Sequence, residues 1–539
     1  MQPIELETPV LIAGGGPIGM AMAIELGWRG IASTVLEQGD GSVDTPRLGI
    51  ILTRTMEILR RWGIVDRIYN CGFNNDYALN IVYCTSMTGF LLSRDENPSC
   101  AAMPRPPQSP EKRQRCTQLW FNPILEKAAG EYASNRILKF CRLERFEDLG
   151  DCVVGHAVDT RNGQPYRITA RYLVAADGGA SEIRSALGID SEGVAALSYS
   201  VNIFLRSREL LSRHDKGEAE RYIFVGPQGT FANLTVVDGR ELWRVTVIGS
   251  AEKMNLQTFD ADAAVRAAFG RDDIPFEIIS VRPWVRKELI ASEYRKGRVF
   301  LAGDAAHTMS PTGGHGMTTG VGDVVDLGWK IQATMDGWAG AHLLDSYRTE
   351  RRPVAELVAA ASSRNFRGWI SARDTHDILD DTAAGAATRR RIGEHMRVAG
   401  REDWDSIGLQ LGYRYDDSPL CVPDGTPPPE ITVTDYQQTA RPGARAPHAY
   451  LPDGRSTLDL FGRGFVLLCF PGADDPGPLV AAARARGVPL QTVEIDQPEI
   501  AALYGRRSVL VRPDGFVAWR DDALPADSHR VIDVVRGEG

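Results

Sequence analysis

The feature that most constrains the fold of this chain is a strand, a glycine turn, a helix and a second strand in succession over residues 8–39. Residues 10–13 form an apolar run of the length of a buried strand. Small and apolar residues then recur at helical spacing until Gly27 and Gly30, and a second apolar run ends at Glu37. This order predicts a βαβ unit, in which two parallel strands lie side by side and the helix packs across them.

The glycine turn of this unit carries a fingerprint of its own. Gly14, Gly16 and Gly19 fit the pattern GxGxxG, and Pro17 opens the helix. The first glycine permits the tight turn, the second lets backbone approach a pyrophosphate, and the third lets the helix pack on the strand. Glu37 stands where a carboxylate can accept hydrogen bonds from ribose hydroxyls. The pattern predicts a dinucleotide site and leaves NAD and FAD open, because both carry an unphosphorylated adenosine ribose.

A second glycine-rich stretch, "FLAGDAAHTMSPTGGHGMTTG" at residues 300–320, helps to decide which of the two dinucleotides binds. Asp304 follows an apolar strand, so its carboxylate can accept hydrogen bonds from ribitol hydroxyls, which only FAD has. The N–H groups of the helix start that follows can face phosphate and the flavin ring, whose negative charge on reduction they would stabilise. The stretch "ADGGASEIR" at 176–184 also places an Asp-Gly pair after an apolar strand. Together these stretches favour FAD.

Size and composition narrow the class of protein. A chain of 539 residues predicts two or three domains. The net charge of −9 argues against a nucleic-acid partner. Eight cysteines without a CxxC pair or metal-ligand spacing predict free thiols, a cytoplasmic location and no metal site. The chain has no run of 18 apolar residues and no signal-peptide pattern, so we expect no membrane partner.

The patterning changes several times along the chain and predicts an α/β fold with more than one domain. Short alternating runs such as "RYIFVG" and "ELWRVTVIG" are typical of a mixed or antiparallel sheet inserted into the first domain. The last region alternates strands and helices again. We predict a discontinuous FAD-binding domain at 1–75, 105–184 and 290–365, a substrate-binding β-sheet domain at 76–104 and 185–289, a helical segment and linker at 366–439, and a small α/β domain at 440–539.

The three motifs together resemble those of the class A flavoprotein aromatic hydroxylases, which share the p-hydroxybenzoate hydroxylase fold. The motifs are GxGxxG, DGxxSxxR from Asp177, and GDAAHxxxPxxGxG from Gly303. The family also has an Arg and a Gln beside the flavin, and Arg47 and Gln118 match these positions. The resemblance implies a Rossmann-like FAD-binding domain of the GR2 type, with the cofactor-binding residues Gly14, Gly16, Pro17, Gly19, Glu37, Gln38, Arg47, Gln118, Asp177, Gly178, Gly303, Asp304, Pro311, Gly314, Gly316, Met317 and Thr318.

Over its whole length the chain resembles the subgroup with a thioredoxin-like C-terminal domain, which includes phenol-type hydroxylases, polyketide hydroxylases and rebeccamycin-type flavoproteins. The region 440–539 has Cys469 but no CxxC, so a packing or oligomer role is expected for it. The resemblance implies that NADH or NADPH reduces the flavin. O2 then forms a C4a-hydroperoxide, which hydroxylates a small aromatic substrate, phenolic or polycyclic. The protein would be a monomer or a homodimer.

Substrate residues are suggested by the same resemblance. Arg244 and Trp284 match pocket positions of a rebeccamycin-type relative. Phe231 and Tyr222, on alternating strands of the inserted domain, are further candidates. The alternative is that Arg244 forms a surface ion pair and that the aromatic residues belong to the core. No catalytic base is assigned.

Two departures from the family pattern occur in the third motif. Thr318 replaces the usual Asn and His315 replaces a frequent Gln. Backbone donors survive both changes, so FAD is still expected to bind. An oxidase-type or auxiliary flavoprotein that acts on a biosynthetic intermediate stays open as an alternative function.

Overall fold

The computed structural model describes residues 1–47, 49–250 and 252–539. Its strands are β1 (Ile4–Ala13), β2 (Ser33–Glu37), β3 (Ile50–Ile51), β4 (Ile81–Cys84), β5 (Leu91–Asp95), β6 (Gln114–Arg115), β7 (Asn135–Lys139), β8 (Cys141–Asp148), β9 (Val153–Asp159), β10 (Pro165–Ala175), β11 (Ser191–Arg206), β12 (Arg221–Gly226), β13 (Gly229–Val236), β14 (Leu242–Ser250), β15 (Glu277–Ala291), β16 (Arg295–Lys296), β17 (Val299–Leu301), β18 (His307–Thr308), β19 (Phe465–Cys469), β20 (Leu490–Glu494), β21 (Ser508–Val511) and β22 (Val517–Asp521).

The helices are α1 (Pro17–Trp28), α2 (Thr53–Arg61), α3 (Val65–Tyr69), α4 (Gln118–Gly130), α5 (Glu182–Ala186), α6 (Ala261–Phe269), α7 (His315–Met335), α8 (Ser346–Trp369), α9 (Ala383–Trp404), α10 (Ile407–Gly412), α11 (Gly477–Ala485), α12 (Pro498–Tyr504) and α13 (Ser528–Val535). Among the described residues, no helix is both long enough and apolar enough to cross a bilayer.

The first sheet is built around the predicted βαβ unit. Its order is β16-β17-β10-β1-β2-β7, and β17, β10, β1, β2 and β7 run parallel. The antiparallel strands β9 and β8 extend it from β10. Val10, Leu11 and Ile12 of β1 are fully buried in a core that α1 and α7 share. The carboxyl ends of the parallel strands therefore open onto one edge, where ligands of such sheets bind.

The second sheet has the order β18-β15-β11-β14-β13-β12-β4-β5 and is antiparallel except where β12 meets β4. Along β11, Val201, Ile203 and Leu205 point into an apolar core closed by α6. The residues that alternate with them, such as Asn202 and Phe204, lie on the opposite face. This opposite face of the sheet carries the side chains that lie next to the candidate site.

The C-terminal sheet, β20-β19-β21-β22, joins the rest of the molecule through buried charges that we call the interface network: Asp326, Lys330, Glu350, Arg512 and Asp514. Lys330 Nζ lies 2.7 Å from Asp326 Oδ2 and 2.6 Å from Glu350 Oε2. Arg512 bonds to Glu350 and Asp514 and lies 3.3 Å from Asp326 Oδ1. Because Arg512 follows β21 while Asp326 belongs to α7, the network fastens this sheet to the helix that faces the candidate site.

Candidate functional site

The loops after β1, β2, β10 and β17 meet at the carboxyl edge of the first sheet. Backbone hydrogen bonds join them in pairs. Gly14 N–H donates to the Leu36 carbonyl at 2.9 Å, and Ala302 N–H donates to the Ala175 carbonyl at 2.9 Å. The predicted motif residues of these four loops are therefore neighbours in space, although nearly 300 residues separate the first motif from the last.

The glycines of the fingerprint fall into two kinds. A Cβ at Gly14 would lie 2.3 Å from the Ala176 carbonyl oxygen, and one at Gly19 would lie 1.8 Å from the Gly14 carbonyl oxygen. Both positions are glycine because backbone passes close to them. A Cβ at Gly16 or at Gly178 would instead meet nothing within 4 Å. These two positions leave open space beside the backbone, which is what a ligand that approaches the main chain requires.

Glu37 lies beside this loop. Its Oε2 accepts a hydrogen bond from Gly15 N–H at 2.9 Å, and its Oε1 accepts one from Gly39 N–H at 2.8 Å. A carboxylate has about four acceptor positions, so hydroxyl groups of a ligand can still bind. Gln38 is exposed next to it, and Pro17 is the first residue of α1, whose N-terminus has no side-chain cap.

The DGxxSxxR motif ties two of the loops together. Arg184 donates to the Ala305 carbonyl at 2.8 Å and to the Gly179 carbonyl at 3.3 Å. Asp177 Oδ2 accepts from Ile183 N–H at 3.3 Å. Its Oδ1 is buried and has no hydrogen-bond partner among the residues the structure describes. A buried carboxylate oxygen without a donor fits the edge of a site that a polar ligand completes.

Asp304 combines an exposed side chain with desolvating surroundings. It is solvent-exposed in the structure, yet surrounding protein raises the pKa of its carboxyl above the ordinary value, while the charges of His307 and Arg47 lower it. A carboxylate with both properties lies inside a deep cleft that is open to solvent. This is the placement that a contact with ribitol hydroxyls requires.

The start of α7 closes the same cleft. The helix follows Gly314, whose φ of +69° favours glycine, and it has no side-chain cap, so its first N–H groups are available to an anion. Pro311 is exposed, and Gly316 and Met317 are half-buried. Thr318 is buried and accepts a hydrogen bond from the Thr55 hydroxyl at 3.0 Å, a partner that the motif pattern does not reveal.

Three residues predicted from separate parts of the chain meet in one hydrogen-bonded group. Arg47 N–H donates to Gln118 Oε1 at 2.7 Å, where Gln118 begins α4. Arg244 Nη1 donates to the Pro46 carbonyl at 2.6 Å and to the Arg47 carbonyl at 3.3 Å. Arg244 thus links the second sheet to the loop beside the cleft. It takes part in no ion pair within the described ranges, so the surface-pair alternative does not fit.

Arg244 belongs to a row of side chains on the polar face of the second sheet. Arg221 pairs with Thr235, and Thr235 pairs with Arg244 across β12, β13 and β14. On β15, Trp284 and Arg286 pair with Ser200 and Ser198, which share the face of Phe204, the partner of Arg244. We call Arg221, Arg244 and Arg286 the cationic face, since directly paired residues point the same way.

Two of the predicted substrate residues lie elsewhere. Tyr222 is fully buried in the core on the opposite face, and its hydroxyl donates to the Gly217 carbonyl at 2.5 Å. Phe231 packs against the same core and stacks on Phe224 at a ring distance of 6.0 Å. Residues next to each other on a strand point to opposite faces. Arg221 lies on the cationic face, and its neighbour Tyr222 therefore points into the core. Its position does not fit the predicted substrate contact.

Burial disfavours the charged forms of two arginines of the cationic face. It lowers the pKa of Arg244 to about 9, with the nearby charges of Arg221 and Arg115 adding to the effect. It also lowers the pKa of Arg286 to about 9. In the part of the chain that is described, Arg244 Nε, Arg286 Nε and Trp284 Nε1 are buried without acceptors. Donors of this kind are costly unless a ligand or water satisfies them.

Arg286 connects this face to the glycine-rich loop. It donates to the Ser310 hydroxyl at 2.5 Å and to the Thr312 hydroxyl at 3.1 Å. Its guanidinium carbon lies 4.9 Å from the centre of the Trp284 ring and 3.8 Å from that of Phe366. The aromatic and cationic groups next to the cleft are therefore in direct contact.

Asp403 of α9 is a carboxylate that lies near Arg221 and Arg286. Its Oδ2 accepts from Trp369 Nε1 at 3.0 Å and lies 3.9 Å from Arg221 Nη1, and Gly313 N–H faces the carboxyl. Burial raises the pKa of Asp403 to about 6, although Arg221 lowers it. Its Oδ1 has no well-aligned donor within the described chain.

His315, the other departure from the family pattern, is buried at the start of α7. Burial lowers the pKa of His315 to about 4, so the imidazole is neutral. No cluster of three or more His, Cys, Asp or Glu that could hold a metal ion occurs among residues 1–47, 49–250 and 252–539.

Fold and site together define a class: a nucleotide-binding α/β protein with a large mixed sheet facing the nucleotide edge. Comparison with known proteins then gives the family. The model of the FAD binding domain matches residues 7–362, and that of the aromatic-ring hydroxylase C-terminal region matches residues 439–537.

Individual relatives agree with these matches. The chain is 33% identical over 564 residues to 4-methyl-5-nitrocatechol 5-monooxygenase of Burkholderia sp, with 98% of this chain and 97% of that one covered. Chromopyrrolic acid-soaked RebC with bound 7-carboxy-K252c superposes with a TM-score of 0.93 at 40% identity over 100% of both chains. Aklavinone-11 hydroxylase with FAD and aklavinone superposes with a TM-score of 0.82 at 28% identity over 99% of both. The chain belongs to the family of FAD-dependent aromatic monooxygenases.

Sequence reasoning missed several residues of the site. Arg286 stands two positions after Trp284, so strand alternation alone could have placed it on the same face. Thr55, Arg221 and Asp403 carry no local signal, because their neighbours in space come from distant segments.

Proposed function

We propose that this protein uses NADH or NADPH and O2 to hydroxylate a polycyclic aromatic substrate that carries an anionic group. The observation that carries the proposal is the cationic face. Of its three guanidinium groups, those of Arg221 and Arg286 lie near the carboxylate of Asp403, and that of Arg244 has no ion-pair partner among the described residues. Each of the three has a buried Nε without an acceptor in the described part of the chain. An anionic substituent would satisfy these donors and restore the pKa of Arg244 toward its ordinary value.

The aromatic part of the substrate has a surface to lie against. Trp284 and Phe366 flank the Arg286 guanidinium on the polar face, and aromatic rings stack favourably on such groups. The RebC structure that resembles this chain holds 7-carboxy-K252c, an aromatic compound that bears a carboxyl group. This supports the larger, acidic type of substrate over a simple phenol.

FAD would be held at the carboxyl edge of the first sheet by the seventeen predicted cofactor residues. We infer that the open space at Gly16 and Gly178 admits the pyrophosphate, that Glu37 binds the ribose, and that Asp304 binds the ribitol. When bound, FAD supplies the electron transfer from the nicotinamide and the activation of O2 that the reaction needs. The protein's own part is to hold the aromatic ring, exclude water and supply positive charge at the α7 terminus.

The proposal also includes the domain division, the cellular location and the oligomeric state of the protein. The domain boundaries and the thioredoxin-like character of residues 440–539 rest on the patterning and the resemblance. A cytoplasmic location is supported by the eight cysteines, all of which are unpaired. A monomer or a homodimer is expected.

The test is anaerobic flavin reduction by NADH and by NADPH in a stopped-flow instrument, with candidate aromatics added. The panel pairs each acid with its neutral counterpart, such as 3-hydroxy-2-naphthoate with 2-naphthol, and includes chromopyrrolic acid and K252c. Acceleration by the acids alone, with oxygenated product in air, is the expected result. Substrate-dependent peroxide without oxygenated product would identify an oxidase instead. Reduction that stays slow with every compound would contradict the proposed substrate class and favour an auxiliary flavoprotein.

A further inference from the structure

The carboxylate of Asp323, on the third turn of α7, has three hydrogen-bonding partners and no contact with solvent. It is fully buried. Its Oδ2 accepts from Gly303 N–H at 3.0 Å and lies 2.7 Å from His307 Nε2, and its Oδ1 accepts from Arg351 Nε at 2.9 Å. Burial raises the pKa of Asp323, but His307 and Arg351 outweigh it and hold the pKa below the ordinary value. The carboxylate is therefore ionised, and both of its oxygens are engaged by protein groups.

Two of these three donors flank Asp304 in the sequence. Gly303 precedes it with a φ of +60°, and a Cβ there would lie 2.7 Å from Ile18 Cγ1. The backbone at Gly303 is thus confined to one conformation that only glycine adopts readily. His307 follows three residues later and lies close enough to lower the pKa of the Asp304 carboxyl. Bonds from Asp323 to both sides fix the short turn that presents Asp304.

Arg351 completes the arrangement from the opposite side. Besides Asp323 it donates to the Thr319 carbonyl at 2.9 Å and to the Tyr415 hydroxyl at 3.1 Å. It therefore fixes Asp323 to the second turn of its own helix and to the segment after α10. The turn, the helix start and this segment behave as one piece.

We propose that Asp323 is a positioning residue for the cofactor, which holds Gly303 and His307 so that the Asp304 carboxylate points into the cleft. The proposal rests on the assignment of Asp304 to FAD made above. It predicts that FAD affinity depends on a side chain that makes no contact with FAD.

The same helix offers a matched control. Asp326 is also fully buried and also bonded to cations, namely Lys330 and Arg512. None of its partners lies beside Asp304 in the sequence. Replacement of either aspartate by asparagine exchanges one fully buried, hydrogen-bonded carboxyl group of α7 for an amide, so both variants disturb the packing of this helix.

The experiment measures FAD release from the purified holoprotein by the rise in flavin fluorescence on dilution, for Asp323→Asn and Asp326→Asn. We expect the dissociation constant to rise about tenfold or more in D323N, as loss of charge-assisted hydrogen bonds implies, and less than about threefold in D326N. Thermal unfolding of both proteins shows whether their stabilities fall alike. Equal effects on FAD affinity in the two variants, or no effect in D323N, would overturn the proposal.

An NMR signal of His307 and two variants of that residue distinguish a positioning role of Asp323 from a general effect on folding. With [15N]histidine, the Nε2 resonance of His307 is expected to show a donor bound to a carboxylate in the wild type and to lose that signature in D323N. His307→Gln keeps an N–H that can reach Asp323 and is expected to retain FAD within about fivefold, whereas His307→Leu is expected to weaken it like D323N. Equal retention in both His307 variants would overturn the positioning role, and this pair serves where D323N fails to fold.

One further variant distinguishes this proposal from the proposed function. Asp304→Ala is expected to lose FAD because the ribitol loses its acceptor. Full FAD occupancy in D304A would overturn the assignment of Asp304 itself. Weakened FAD in D304A with unchanged FAD in D323N would overturn only the role of Asp323.

Discussion

The interface network and the cationic face are both built from buried charges, but they differ in how those charges are satisfied. In the interface network, Lys330 and Arg512 each contact at least two carboxylates at bonding distance. In the cationic face, Asp403 lies 3.9 Å from Arg221 and interacts with Arg286, and Arg244 has no ion-pair partner within the described chain. The first cluster is complete within the described chain, and the second has donors left over.

This difference separates a structural cluster from a binding surface. A buried charge that loses its partner destabilises a fold strongly, so the complete network fastens the C-terminal sheet to α7. Donors that are left without acceptors cost free energy in the absence of a ligand, and a ligand that supplies acceptors regains it. The donors left without acceptors on the cationic face are therefore the observation that supports the proposed anion site.

The largest expected effect comes from Arg512→Met, which breaks the complete cluster. It leaves Glu350 and Asp326 with less compensation, which costs about 3–5 kcal/mol. The matched control is Arg506→Met, since Arg506 forms an exposed pair with Asp522 at 3.1 Å and such pairs contribute about 0–1 kcal/mol. Thermal unfolding of the holoprotein measures both. Similar shifts in the two variants would show that the network does not hold the two sheets together.

The second prediction concerns the pH dependence of Asp403 in the incomplete cluster. Burial raises its pKa from 3.8 to about 6, so its ionised form is disfavoured in the fold. The contribution of Asp403 to stability should fall as the pH rises from 4 through 6, by on the order of 2–3 kcal/mol. Asp403→Asn cannot ionise, so its unfolding midpoint relative to wild type should rise over this window and level off above pH 7. A difference that stays flat from pH 4 to 8 would contradict the raised pKa.

Arg244→Met tests whether the incomplete cluster binds an anion. Loss of one charged donor should weaken binding of 3-hydroxy-2-naphthoate by about 10–100-fold and leave 2-naphthol almost unchanged. Stability should change little, because burial already disfavours this charge. Arg206→Met is the control, since Arg206 pairs with Glu241 and Glu277 near the surface. Equal losses for the acid and the neutral compound would argue against an anion site.

The smallest effect is expected at Thr318, on the cleft side of the helix that carries the interface network. In Thr318→Asn the backbone N–H groups of α7 remain, and the amide oxygen can accept from the Thr55 hydroxyl in place of the present bond. FAD affinity should stay within about threefold of wild type or improve. Flavin absorbance after gel filtration measures the occupancy, and a colourless variant would show that the Thr55–Thr318 bond is essential.

The motif loops could be predicted from the sequence because their information is local. Each glycine or aspartate of the FAD motifs stands within a few residues of a strand end, and parallel strands bring such ends to one edge. Gly14, Gly16, Asp177 and Asp304 therefore fall together once the strands are recognised. The same reasoning places Trp284 and Arg286 on one face by alternation.

Other parts of the site depend on pairings between distant segments. Whether Tyr222 or Arg221 points into the core is decided by which side of the sheet α6 covers, and no local pattern shows this. Asp403 reaches the arginines only because α9 packs beside β4 and β5. Asp323 looks like any polar residue of a helix until the fold brings Gly303 and His307 to it.

The interface network also has a consequence for the order in which the molecule is made. Arg512 lies 186 residues after Asp326, so at about 5–20 residues per second the ribosome adds it about 10–40 s later. Throughout that interval Glu350 and Asp326 have only Lys330 as a cation within the network. During that time the C-terminal sheet is not yet fastened to α7. The joining of the C-terminal sheet to α7 is therefore a late step, which follows the synthesis of α7 by about 10–40 s.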